Sequence, residues 1–169
     1  MKARSSRRVS GGRKGTRVPL ASLRAAEVVR TIMAHPRRLE ELVSMIEDGD
    51  RRLRDRAAAS LAKLAASHPE RLLRVLERLQ NDLADESAYV RWNLVFSLGA
   101  IGARYPRRAS DLLADLARRL GDDNRVVRVM ACKALMRIAR RAPRPVAQYF
   151  ETSKLPVPRS LQPILRAVR

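Results

Sequence analysis

Apolar residues recur along this chain at helical spacing, and the pattern itself repeats. Leu72, Leu76, Leu79 and Leu83 mark one amphipathic stretch, and Val90, Leu94, Leu98 and Ile101 mark the next. These three- and four-residue steps place side chains on one face of an α-helix. A shift of 37 residues carries Leu53-Arg54 onto Val90-Arg91 and Val127-Arg128, Leu61 onto Leu98 and Leu135, and Leu64 onto Ile101 and Ile138. It also aligns Leu39, Leu76 and Leu113, then Leu42, Leu79 and Leu116, then Ile46, Leu83 and Leu120, and finally Asp48, Asp85 and Asp122. Random apolar content does not hold such a phase, so the chain is an array of similar units.

Each unit reads as two helices. Pro69, Pro106 and Pro143 fall where units begin, and a proline suits a first helical turn because its N–H is not needed there. Polar breaks at Glu47-Asp48-Gly49-Asp50, Asp85-Glu86-Ser87 and Gly121-Asp122-Asp123-Asn124 separate the helices of a pair. Their Asp and Ser side chains are suited to accept the free N–H groups of the helix that follows. One helix pair cannot bury both of its faces, so neighbouring pairs must stack.

An aspartate between helices, Val-Arg five and six residues on, then an Ala- and Leu-rich helix is the pattern of Asp85, Val90-Arg91 and Leu98-Gly99-Ala100-Ile101-Gly102. It resembles HEAT repeats over roughly residues 36 to 142. The resemblance implies an all-α fold, a right-handed α-solenoid of antiparallel helix pairs with about three units and capping helices at both ends. It also implies an ionic ladder between units formed by Asp48, Asp85 and Asp122 with Arg54, Arg91 and Arg128, a structural role. Units of 37 residues are shorter than the usual 40 to 47 of that family, so the turns between them must be tight.

The expected organisation is a basic tail over residues 1–18, then a helical-repeat domain over 19–169. Its repeats run over about 36–68, 69–105 and 106–142, with a C-terminal cap over 143–169. Residues 19 to 34 read as a capping helix because Arg24 and Glu27 stand where Leu61 and Leu64 stand in the next unit. After Pro143 a further helix with Val146, Tyr149 and Phe150 is stopped by Pro156 and Pro158, and a short one near Leu161 to Val168 closes the stack.

Composition narrows the picture. With 46% apolar and only 4% aromatic residues, the chain has enough for one helical core and no β-branched or aromatic runs that would make strands. The single cysteine, Cys132, makes no internal disulfide, which suits a reducing cytoplasm. Charged residues interrupt every apolar stretch, so no membrane span is expected. The Arg- and Ser-rich start also has the composition of a mitochondrial transit peptide.

The formal net charge is +19, and it sits at the ends. Residues 1 to 17 hold seven basic residues (Lys2, Arg4, Arg7, Arg8, Arg13, Lys14 and Arg17) and no acidic one, and 125 to 169 hold eleven against Glu151 alone. The N-terminal cluster lacks apolar periodicity and is expected to be disordered in isolation. On the last unit, Lys133, Arg137, Arg140 and Arg144 fall on one helix face if the ridge carries past Pro143, with Arg141 beside them. The preceding unit has Phe96, Ala100, Ala103 and Arg107 at those places. Solubilising a solenoid end would explain polar residues there, but not their single sign. Tyr89, Trp92 and Phe96 form a stripe that reads as core rather than as a base-stacking surface.

Little points to catalysis. His35 and His68 each precede a proline with no Cys or His at ligand spacing, and no phosphate loop or nucleophile elbow is present. Val129 to Glu151 is also similar to the final helices of HEAT-like DNA alkylpurine glycosylases, but only Trp92 and Tyr89 could serve as aromatic walls and no acid is placed for that chemistry. The expected function is a non-enzymatic module that binds RNA or DNA through phosphate contacts from its basic ends. The alternative is a protein-interaction adaptor, with an acidic protein as partner. Neither reading needs a cofactor, a metal or a small-molecule substrate.

Overall fold

The computed structural model describes residues 18–168. The tail cluster Arg4, Arg7, Arg8, Arg13, Lys14 and Arg17 lies outside the described residues. Nine α-helices occur among those described: α1 (Ala25–Ala34), α2 (Leu39–Ser44), α3 (Arg51–Ser67), α4 (Leu76–Asn81), α5 (Ala88–Arg104), α6 (Ala109–Arg118), α7 (Arg125–Ala139), α8 (Pro143–Ser153) and α9 (Gln162–Arg166). No strand occurs among them, and no helix is long and apolar enough to cross a membrane.

The helices form an α-solenoid of two layers. Helices α1, α3, α5 and α7 stack side by side, each on the next, and α2, α4, α6 and α8 form the other layer. Both layers face one continuous core that contains Leu42, Leu61, Leu79, Leu98, Leu116 and Leu135, the positions the 37-residue phase puts in register. Helix α5 is apolar nearly all round because α3 covers one flank and α7 the other. A helix with neighbours on both sides has little solvent face to keep polar.

The first helix of each pair is less regular than the leucine spacing predicts. Pro36, Pro69 and Pro106 each open a 3₁₀ segment rather than an α-helical turn, and in the middle unit that segment runs through Pro69–Val75 before α4 begins. The leucines remain buried all the same. Spacings of three and four serve either helix type when burial is what selects them. Helix α8 starts directly at Pro143 and ends at Lys154, whose φ of 55° is left-handed, before Pro156 is reached.

The stack of α5 on α7 is tight at one place. A Cβ on Gly99 would lie 2.6 Å from the Cβ of Ala134 and 2.9 Å from its Cα. Hence Gly99 is required for the approach of two backbones, not for its own dihedral freedom. Gly99→Ala is expected to lower the thermal midpoint. The gain in helix propensity, at most about 1 kcal/mol, is opposed by overpacking of about 1–3 kcal/mol. A raised midpoint in calorimetry would show that α7 can step aside.

Candidate binding surface

Two features of the surface repeat or cluster in ways the core does not explain: a row of arginines at the start of α3, α5 and α7, and a group of arginines at the end of α5 and α7.

The row begins with the inter-helix loops. Asp48, Asp85 and Asp122 each accept the N–H two residues on, from Asp50 (2.7 Å), Ser87 (2.6 Å) and Asn124 (3.0 Å). Asp50 and Asn124 in turn cap α3 and α7 by accepting from Arg52 and Val126, both at 2.8 Å. Ser87 departs from the expected cap. Its side chain caps nothing and its hydroxyl instead donates to Asp55 of the preceding unit at 2.8 Å, a charge-assisted bond.

Each arginine closes its own loop. Arg54 Nη1 donates to the carbonyls of Asp48 (3.0 Å) and Gly49 (3.3 Å), Arg91 Nη1 to Asp85 (2.9 Å) and Glu86 (3.0 Å), and Arg128 Nη1 to Asp122 (2.7 Å) and Asp123 (2.9 Å). The first two arginines also reach the following unit. Arg91 holds Asp122 by two bonds, from Nε (2.9 Å) and Nη2 (2.7 Å), and touches Asp123. Arg54 Nε lies 3.0 Å from Asp85 as an ion pair without an aligned hydrogen bond, and its Nη2 meets Glu86. The Asp122 side chain is only 2% exposed. Burial pushes its carboxyl up, but the Arg91 hydrogen bonds and the Asn124 N–H outweigh that and hold it well below the usual carboxylate range.

Four of the six ladder residues therefore form two closed rungs. Asp48 and Arg128 stand at the ends, with no ion pair among the described residues. Near the Arg54–Asp85 rung, Asp82 is pushed up to about 6 by burial and by the neighbouring Glu47 and Asp85 charges, against the opposing pull of Arg78.

The second feature is a groove across the C-terminal turns of α3, α5 and α7, with a volume of about 960 Å³, between Ala66, Ala103, Arg104, Arg137, Arg140 and Arg141. None of its four arginines forms an ion pair among the described residues. The acid on its rim, Glu70, is turned toward His68 at 3.4 Å. Cations at helix C-termini complement the dipole, which accounts for one arginine per helix end. It does not account for three at and just beyond the end of α7 and none on the last turn of α3.

The ridge expected from Lys133 to Arg144 is broken. Helix α7 ends at Ala139 and Arg144 belongs to the first turn of α8, since Pro143 has no N–H to continue α7. The groove gathers Arg137, Arg140 and Arg141, and Lys133 stands exposed one turn back on α7. Arg104, at the end of α5, was not among the sequence candidates. Its signal was present: Arg104 is 37 residues before Arg141.

The aromatic stripe is core only in part: Trp92 packs against the hydrophobic core. Tyr89 is 42% exposed, and Trp92 and Phe96 are half-buried. Tyr89 meets Trp92 edge to face at 5.3 Å, and Arg137 lies over the Phe96 ring at 5.8 Å. Helices α3 and α7 cover the flanks of α5 but leave its outer edge open, so the stripe lines the same layer as the arginines.

A family model for HEAT repeats matches residues 75–161, just over half of the chain. The chain belongs to the HEAT-repeat family. No curated protein matches its sequence. Among solved structures, this HEAT-repeat chain is similar to computationally designed armadillo repeat proteins for modular peptide recognition. The TM-score is 0.64 at 24% identity, over 85% of this chain and 68% of that one. It is also similar to a designed armadillo repeat protein in complex with the peptide (KR)4, with a TM-score of 0.63 at 20% identity over 88% and 69% of the two chains. At such identity these likenesses bear on the fold alone. Among the described residues no group of His, Cys, Asp or Glu is placed to hold a metal ion.

The three loop arginines should rank by what each loses. Arg91→Ala strips the buried Asp122 carboxylate of its two shortest arginine bonds and leaves it only the longer contact from Arg119 Nη1 at 3.3 Å and the Asn124 N–H, and is expected to cost about 3 kcal/mol. Arg54→Ala should cost less, because its pair is not aligned. Arg128→Ala, which loses carbonyl contacts only, should cost about 1 kcal/mol. Urea titrations give the order, and an Arg128 variant as damaging as Arg91→Ala would refute it.

Proposed function

We propose that the chain is a non-enzymatic interaction module whose α3–α5–α7 layer holds an extended acidic segment of a partner protein. The observation that carries this reading is the groove in which Arg104, Arg137, Arg140 and Arg141 stand without carboxylate partners, with the half-buried Phe96 ring against Arg137 at its edge. Unpaired guanidinium groups on a firm helical frame can bind carboxylates bidentately without reorganising. Aromatic faces next to them supply apolar contact for the side chains between the acids. Repeat stacks present such surfaces along their length. The designed relative that holds (KR)4 is in complex with a basic peptide, and in this chain the sign of the groove is reversed.

A second reading keeps RNA or DNA as the partner. It is favoured by the eleven basic residues against one acidic residue in 125–169, an excess larger than a peptide groove requires, and by aromatic groups able to stack on bases. The tail arginines and the outlying Lys133 and Arg144 would then extend the phosphate contacts.

Anisotropy titrations separate the two readings. A labelled peptide of alternating Glu and Leu should bind, and changing Arg104, Arg137, Arg140 and Arg141 to Gln should weaken it by about tenfold or more with the melt unchanged. If a single-stranded oligonucleotide binds more tightly, with a salt slope that falls by about 0.7 for each arginine removed, the nucleic-acid reading is correct. Unaltered binding of both probes by the variant would remove the groove from either account.

A further inference from the structure

The open rung at the C-terminal end forms a second binding site, distinct from the groove. We infer that the crevice beside Arg128 takes an acidic turn from a partner protein, with an apolar residue followed two positions later by consecutive carboxylates.

The ligand's form is set by the two closed rungs. Arg54, Arg91 and Arg128 share one pose, each with Nη1 on the carbonyls of its own loop. In that pose the outward nitrogens of Arg54 meet Asp85 and Glu86, and those of Arg91 meet Asp122 and Asp123. Both acidic pairs follow a leucine by two residues, as Leu83-Ala84-Asp85-Glu86 and Leu120-Gly121-Asp122-Asp123. For Arg128 no further unit supplies the acids. The residue 37 positions beyond Asp122 is Arg159, and the outward nitrogens of Arg128 have no hydrogen-bond partner among the described residues.

The surroundings match the rest of such a turn. An open crevice of about 830 Å³ adjoins the guanidinium, lined by Arg128, Val129, Cys132, Tyr149, Leu155 and Pro156, with Arg118 at its edge and no acidic residue in its wall. Val129 and Leu155 are 43% and 42% exposed. The loop that forms the far wall is tied to α7 by Cys132 Sγ and Ser160 Oγ at 3.0 Å. Positive charge beside apolar surface is complementary to a carboxylate beside a leucine. A bare phosphate backbone would leave the apolar wall uncovered, which is why a protein segment is favoured over nucleic acid. Arg128 and Arg140 are twelve residues apart on and just beyond α7, about 18 Å at helical rise, so this site and the groove can be disabled separately.

The test uses the full chain and a labelled, end-blocked peptide copying Leu83 to Val90, with a control peptide in which the two acids are replaced by Asn and Gln. The acidic peptide should bind saturably, and the control at least about tenfold more weakly. Val129→Glu, an exposed change that places a carboxylate against Arg128, should weaken binding by a similar factor with an unchanged melt. Arg128→Gln should weaken binding by the same factor with a slightly lowered melt, since it also gives up the loop-carbonyl bonds, and the four-residue groove variant should bind the peptide as the parent chain does. The inference is overturned if both peptides bind alike, if Val129→Glu and Arg128→Gln bind as well as the parent, or if no saturation is seen up to about 1 mM. It is also overturned if the chain self-associates through this crevice, shown by sedimentation equilibrium that Val129→Glu abolishes, because the occupant is then a second copy.

Discussion

Helix pairs that bury leucines against one another can slide, because apolar contact has no direction and leucine rows offer several nearly equal fits. The contact that breaks this degeneracy is the arginine at the head of each second helix. One guanidinium edge closes the loop that precedes its own helix and the other grips the loop of the following unit, as Arg91 does with Asp122. Loop shape and unit spacing are thereby set by one planar group. Burial of leucines supplies the driving force for folding, and the rung selects which stacking that force stabilises. Buried ion pairs add little net stability over an apolar pair, but leaving one partner alone is costly.

Both binding proposals follow from this arrangement. Rungs consume the acids at one edge of the layer, so the excess of arginine at the other edge, around Arg104 and Arg140, has nothing in the fold to neutralise it. An array of finite length also ends on a rung with no acid to receive it. Arg128 occupies that place, and the chain continues into a proline-containing loop rather than a new acidic turn.

Much of this was legible in the sequence. The phase of Leu61, Leu98 and Leu135 gives the second helices, and the family resemblance put Asp and Arg in register between units. The pairing of Arg54 with Asp85 and of Arg91 with Asp122 is what that register yields in three dimensions. Three things were not legible. Tyr89 and Phe96 look as much like core by spacing as Trp92, which does pack against it, since periodicity reveals a face but not whether a neighbour covers it. The break between Arg140 and Arg144 depends on where α7 stops, and helix ends are set by local capping that a face projection ignores. Arg104 does not stand out by net charge, which favours the basic segment after residue 125, whereas the groove draws on the ends of two successive helices.

The central claim is that the rung couples adjacent units, and the most direct measurement is a double-mutant cycle on Arg91 and Asp122 by chemical denaturation. Arg91→Met and Asp122→Leu should each be destabilising, since Asp122 would keep only the longer contact from Arg119 and Arg91 only the exposed Asp123 as an acidic partner. The combined variant should cost less than the two together by about 2 kcal/mol, because neither buried charge then stands without its main partner. Strict additivity of the two substitutions would contradict the account, since it would mean that the units are held in register by leucine packing alone.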